Sequence, residues 1–395
     1  MRLGKIFHLI NILIICLILI WGSLQNNFME GIDGKGRVVI TLTAFLFLRN
    51  IFFNNKYKRT LTYKNSIFKF WSTWFIYTII NTFFNYTADA LSLGSFIGVH
   101  LFAPFVIMST IASLPTNNLR YLLKWLGLTS YFIFISYFIN SDIVNGRVTL
   151  QRFDPNEFSL TIYLLIVLLG MSYLKKTITI TQFLFLLILP MGFSIMIGSR
   201  MGFIGVLLLT LGPILSSPRK RKIISIKRSL IILSLIALPS FYLMNNTVLG
   251  ERFIATTSNT EALTENHVEG TFFENFGDRG VYYVLGWKAL TDKPITGIGL
   301  NNFKHKYYYQ VLHSEFMIQL AELGLIGFFF YVSFNISLLS AIQKERMRML
   351  SISFNNYLLI IFFVLLLSSS VLFLYKSYSI AIIYGLLILL TNKKV

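Results

Sequence analysis

The chain has one cysteine, Cys16, in 395 residues. An intrachain disulfide is therefore impossible, and so is a metal cage built from several thiolates. Charge is also scarce. Asp, Glu, Lys and Arg make up 13% of the residues, against roughly a quarter in soluble domains. No P-loop, G-x-G-x-x-G, H-E-x-x-H or D-x-D sequence occurs, which removes the usual nucleotide-binding and zinc-hydrolase readings. "HSE" at 313–315 has the His-x-Glu spacing of zinc deaminases, but the cysteines that would complete such a site are lacking. The expectation is a protein that uses neither metal nor cofactor.

Apolar side chains, by contrast, make up 55% of the chain, more than a soluble fold would carry. They fall into twelve windows, near 6–24, 36–53, 67–84, 93–113, 119–139, 158–174, 178–197, 200–215, 226–244, 323–342, 355–374 and 377–392. About 20 residues of helix cross the hydrocarbon core, and only helices satisfy their own backbone groups there. The first window follows Arg2 and Lys5 as a signal peptide would, but it has no small-x-small cleavage site, so it reads as a retained first helix. The window at 200–215 is short, and Gly198, Gly202 and Gly205 are expected to bend or break it.

With the N-terminus inside, 23 of the 35 Lys and Arg fall in inside segments, and every acid except Glu345 falls outside. The positive-inside rule then gives twelve spans with both termini cytoplasmic. It also makes "PRKRK" at 218–222 a cytoplasmic anchor, so the +19 charge does not imply nucleic acid. The fold class expected is an all-α polytopic membrane protein, one transmembrane domain over 1–395.

One connection breaks the run of short loops. Residues 245–311, outside, between the ninth and tenth spans, form a segment several times the ordinary length. Phe272, Phe273, Phe276, Tyr282, Tyr283, Trp287 and Tyr307–Tyr309 make it too aromatic for a disordered tail. It is expected to pack on the membrane face.

The candidate chemistry lies on that outer face. "GSRMG" sets Arg200 at a glycine-flanked junction. "GRVTLQRFDPNEF" supplies Arg147, Arg152 and Asn156. "GDRGVYYVLGWKALTDKPITGIGLNNFK" supplies Arg279, Trp287 and Lys304. Arginine suits phosphate because its planar fork donates two parallel hydrogen bonds and stays charged. Ordinary loop or snorkelling roles are open to each of these cations, and packing is the default role of the loop aromatics, with Trp287 the candidate for stacking on a sugar ring. In "VLHSEFMIQLAELGLIGFFFY", His313 can act as acid or base near neutral pH. Ser314 is expected as a helix N-cap, which puts Glu315 at the first helical position, where an acid suits the helix dipole. Glu315, Gln319 and Glu322 then share one stripe. Glu322, deeper in, calls for a specific partner.

These residues carry a resemblance. "HSEFMIQLAELGLIGFFFY" resembles the His-Asn-x-x-Leu…Glu-x-Gly-x-x-Gly signature of the O-antigen ligase and polymerase superfamily, with Ser314 where the family has Asn. "GSRMG" is similar to that family's Ser-Arg-Gly motif, and "R…WKALTDKPITGIGLNNF" at 279–303 to its large outer loop. The resemblance implies a GT-C-like layout and metal-free glycosyl transfer at the outer face of the bacterial cytoplasmic membrane, from an undecaprenyl-diphosphate-linked donor to a glycan acceptor. It implies that Arg200 and Arg279 hold the diphosphate, that His313 is catalytic and that Glu322 is a structural partner; from the residues alone, Glu315 and Glu322 stay open as alternative bases. Flippase and chain-length regulator proteins are the implied partners. A polysaccharide polymerase is the favoured expectation, and a ligase that hands finished glycan to a lipid core or protein is its neighbour. A flippase is the alternative from another class, set against it by the one-sided placement of the candidates.

Overall fold

The computed structural model describes residues 3–28, 35–61, 66–85, 90–139, 142–144, 147–149, 155–197, 199–216, 278–307, 312, 314–348, 352–370, 372 and 374–391, and structural statements refer to these. In chain order the helices are α1 (Leu3–Phe28), α2 (Lys35–Phe53), α3 (Asn55–Leu61), α4 (Ser66–Asn85), α5 (Ala90–Phe96), α6 (Ala103–Ser113), α7 (Leu119–Ile139), α8 (Pro155–Leu174), α9 (Ile180–Met196) and α10 (Arg200–Ser216). They continue with α11 (Asp278–Asp292), α12 (Phe303–Tyr307), α13 (Glu315–Ala321), α14 (Gly324–Arg348), α15 (Ile352–Ser369) and α16 (Tyr378–Thr391). A π-helical turn at Ile97–Phe102 joins α5 to α6. Among the described residues, a hairpin of two three-residue strands, Asp142–Val144 with Arg147–Thr149, departs from the helical rule.

Helix lies over eleven of the twelve apolar windows, and the ninth, 226–244, is outside the described residues. Five helical stretches are long and apolar enough to cross a membrane: Ile6–Ser23, Gly36–Phe53, Leu93–Ser113, Thr116–Ile139 and Gly324–Glu345. Shorter apolar helices include Phe158–Leu174, Ile180–Met196, Arg200–Ser216, Phe354–Ser369 and Tyr378–Thr391. This is a polytopic helical membrane protein.

Helices in lipid gain little from hiding apolar surface from one another, so close backbone approach and polar links matter more. Both occur here. The expectation of a break in α10 is corrected: the helix runs unbroken over Arg200–Ser216, and Gly202 and Gly205 serve packing. A methyl group on Gly202 would meet the Ser159 side chain, and one on Gly205 would meet the Tyr163 hydroxyl, so their absence lets α10 lie against α8. At the opposite end of the bundle, Arg49 donates to Asn11 Oδ1 at 2.7 Å and Asn11 donates to Asn50 Oδ1 at 2.8 Å. Asn50 in turn donates to Thr110 Oγ1 at 3.1 Å, tying α1, α2 and α6 with side chains that would otherwise be orphaned.

Three helix ends mark one end of the bundle. Tyr77, in the C-terminal half of α4, donates to Leu323 O at 2.8 Å, just before α14 begins, and Asn81, one turn further on, donates to Thr296 O at 2.6 Å. Asn355, early in α15, donates to Glu345 O at the far end of α14. The C-termini of α4 and α15 therefore lie at the same end of the bundle as the N-terminus of α14.

Candidate active site

The site is best built outward from Glu322, which closes α13 and is buried. Its Oε2 accepts from Asn301 N at 2.9 Å and its Oε1 accepts from Phe303 N at 3.1 Å. The main chain continues the clamp, with Gly299 N donating to Glu322 O at 2.8 Å and Ile298 N to Ala321 O at 3.1 Å. The first turn of α14 lacks intrahelical acceptors for its amides. Pro294 O and Ile295 O supply them, to Leu325 N at 2.9 Å and Ile326 N at 3.2 Å. Residues 294–303 are thus moulded onto the α13–α14 junction.

Two glycines make that contact possible. Gly297 has φ +72° and Gly324 φ +67°, in the left-handed region that L side chains avoid. A methyl group on Gly297 would overlap the carbonyl of Glu322, and one on Gly324 would overlap the carbonyl of Ile295. The "PITGIG" and "ELGLIG" stretches are two halves of one main-chain interface.

Glu315 organises a second contact. Ser314 caps α13 as expected, its hydroxyl accepting from Met317 N at 3.4 Å. Glu315, fully buried, accepts from Gln319 Nε2 at 2.7 Å, Leu374 N at 2.7 Å and Tyr375 N at 3.3 Å. Its own amide donates to Leu372 O at 3.1 Å. Gln319 Oε1 accepts from Trp74 Nε1 at 2.7 Å, so the expected polar stripe is an inter-helix tie from α4 through α13 to the loop after α15.

The last turn of α15 and the residues just after it gather the rest. Tyr283 on α11 donates to Ser370 O at 3.0 Å. Ser368 Oγ donates to Tyr163 Oη at 3.3 Å, and Tyr163 donates to Met201 O at 2.9 Å in the first turn of α10. The α13 start and α11 at Tyr283 therefore meet the residues just after α15, and the α10 start is linked to the last turn of α15 through Tyr163 of α8.

Arg200 is the first residue of α10, half-buried, after Ser199, whose hydroxyl accepts from Gly202 N at 3.2 Å. Arg279 is the second residue of α11, one turn before Tyr283. The side chains of Arg279, Arg147, Asn156 and Lys304 lie outside the described set, although their backbones are helical or, for Arg147, in the hairpin. His313 and Arg152 lie outside the described residues, but Ser314, next to His313, is held at the loop through Glu315. Trp287 is exposed on α11. Both oxygens of Glu315 and of Glu322 are engaged by donors, chiefly main-chain amides, which gives these acids positioning contacts.

Lys376, half-buried in the turn after Tyr375, was not singled out from the sequence, yet its charge acts on both carboxyls. Burial pushes the Glu322 carboxyl up to about 7, against the pull of the Asn301 and Phe303 amides and Lys376. Burial also raises Glu315, opposed by Gln319, the two loop amides and Lys376. Between the ordinary carboxylate value of 4.5 and about 7, the folded chain holds the Glu322 proton more tightly than the unfolded chain. Stability therefore falls as pH rises across that window. Melting temperature in detergent is expected to drop from about pH 5 to about pH 8, less steeply in Glu322→Gln. Equal slopes in the two proteins would contradict this assignment.

The fold defines a polytopic membrane protein in which the α13 start and α11 bond to the residues just after α15 and the α10 start is linked to the end of α15. Residues 183–332 match the family model described as O-antigen ligase, which supports placing this segment in the O-antigen ligase/polymerase superfamily. The match runs from α9 to the first turns of α14 and takes in Arg200, Arg279, Glu315 and Glu322. No curated protein matches the chain.

Proposed function

We propose that the protein is a polysaccharide polymerase of the bacterial cytoplasmic membrane, acting at its outer face on glycans linked to undecaprenyl diphosphate. The hydroxyl of one lipid-linked repeat attacks the anomeric carbon of another chain. The carbon–oxygen bond to the diphosphate breaks, the new glycosidic bond forms, and lipid diphosphate leaves. Arg200 and Arg279 bind the departing diphosphate, each preorganised donor contributing about 3–4 kcal/mol in the transition state. His313 takes the hydroxyl proton, a step typically worth about 10²–10⁴-fold in rate. Glu315 and Glu322 hold the walls of the site instead of reacting.

The observation that carries this reading is that α11 and the α13 start both bond to the residues just after α15, while the α10 start is linked to the last turn of α15 through Tyr163 of α8. The distribution of basic residues supports an outward orientation for that end. A second reading, transfer of finished glycan to a lipid core or protein, is favoured by the description of the matching family model. Purified protein in liposomes with a synthetic prenyl-diphosphate-linked repeat separates the two. A ladder of products is expected for a polymerase. Absence of any ladder, with transfer only when a second acceptor is added, identifies a ligase.

A further inference from the structure

We infer that α11 is an interfacial helix whose exposed face, Val284 and Trp287 continued by Ile295, is inserted in the lipid leaflet at the site end of the bundle. The first argument is its direction. Tyr283 is bonded to Ser370 beyond the end of α15, and Lys293 Nζ donates to Asn85 Oδ1 at the end of α4 at 3.2 Å. Nine residues of helix lie between these anchors, a rise of roughly 15 Å from one to the other. Packed helices stand about 8–10 Å apart. An element reaching from one helix end to another over that distance lies across the bundle's end, in the plane of the membrane surface.

The second argument is its two faces. Gly286, Ala289 and Leu290 are buried, and a methyl group on Gly286 would meet Met317, so this side packs on α13. Val284, Trp287 and Thr291 follow at helical spacing on the opposite side, exposed, with Ile295 one further step along. Trp287 is 59% exposed and Ile295 62%, which is costly for large apolar groups in water. The surface they join decides the partner. The Ile326 N to Ile295 O bond sets Ile295 beside the first turn of α14, where Leu325 and Phe329 are exposed along a membrane-spanning stretch. The apolar face of α11 is therefore continuous with surface that contacts lipid. Tryptophan at a headgroup boundary with a lysine beside it, here Lys288, is the usual composition of such a helix. This assigns Trp287 to lipid in place of sugar. If the proposed function holds, the inserted helix also carries Arg279 at the level of lipid phosphates.

The test uses nitroxide labels in the full-length protein with Cys16 replaced by Ser. Labels at 287 and 295 are compared with 329, lipid-facing, and 306, exposed, in vesicles of equimolar phosphatidylethanolamine and phosphatidylglycerol. Collisions with oxygen are expected to exceed those with a water-soluble nickel chelate at 287 and 295, as at 329. If nickel dominates at either position, as at 306, the face meets water or glycan and the inference fails. Labelled proteins that still form product ladders show that such a failure leaves the proposed function standing.

Discussion

Arg279→Ala protein that inserts and folds like the wild type is expected to lose polymer formation by about two to three orders of magnitude, the cost of removing one preorganised donor at a developing negative charge. The expectation rests on where α11 is fixed. Its anchors include Tyr283 to Ser370, Lys293 to Asn85 and the Lys306–Asp292 ion pair at 2.7 Å. All lie beyond residue 279, so truncating that side chain leaves these contacts in place. Arg279→Lys keeps the charge and loses the planar fork, and should recover only part of the activity. The assay is ladder formation from a prenyl-diphosphate-linked repeat, read beside the melting temperature. Wild-type product length from Arg279→Ala would remove this residue from the chemistry.

The second large effect concerns residues that touch no substrate. Gly324→Ala puts a side chain into a left-handed backbone position, costing roughly 1–2 kcal/mol, and overpacks the main chain, costing about 1–3 kcal/mol more. The overlap is with Ile295, so strain there should loosen residues 294–303 from α13 and α14. Gly297→Ala injures the same contact from its other side, against Glu322. Either variant should lower the melting temperature and reduce product. The double variant should cost less than the sum of the two, because one interface is lost once. Strict additivity in the melting temperatures would mean that the two glycines do not act together.

The sequence was most legible where one element decides the outcome. The cap at Ser314 and the alignment of Glu315 with Gln319 follow from helical periodicity, and the structure has both. Apolar runs located the helices for the same reason. Contacts between segments distant in the chain were less readable. "PITGIG" and "ELGLIG" were visible as glycine-rich stretches, but their mutual docking depends on main-chain groups and positive φ angles that appear only once the chain is folded. The glycines at 202 and 205 show how local reasoning fails. In isolation they weaken a helix, but against α8 they are the small residues that close packing requires.

The connection just after α15 gave the least signal. Its contribution consists largely of the amides of Leu374 and Tyr375 and the carbonyls of Ser370 and Leu372. Any residue type except proline offers the same pair of groups, so composition carries no mark of the role. Lys376 was one lysine in a short connection, and its effect on Glu315 and Glu322 depends on the fold that brings them near.

The account stands on Arg200 and Arg279 gripping one diphosphate. The most direct measurement is a double-mutant cycle on binding of a synthetic prenyl diphosphate to the reconstituted protein, using Arg200→Ala, Arg279→Ala and the pair. Each single variant should weaken binding, and the two losses should be coupled by about 0.5–3 kcal/mol, as expected for groups sharing one ligand moiety. Unchanged affinity in either single variant, or losses that simply add, would contradict it.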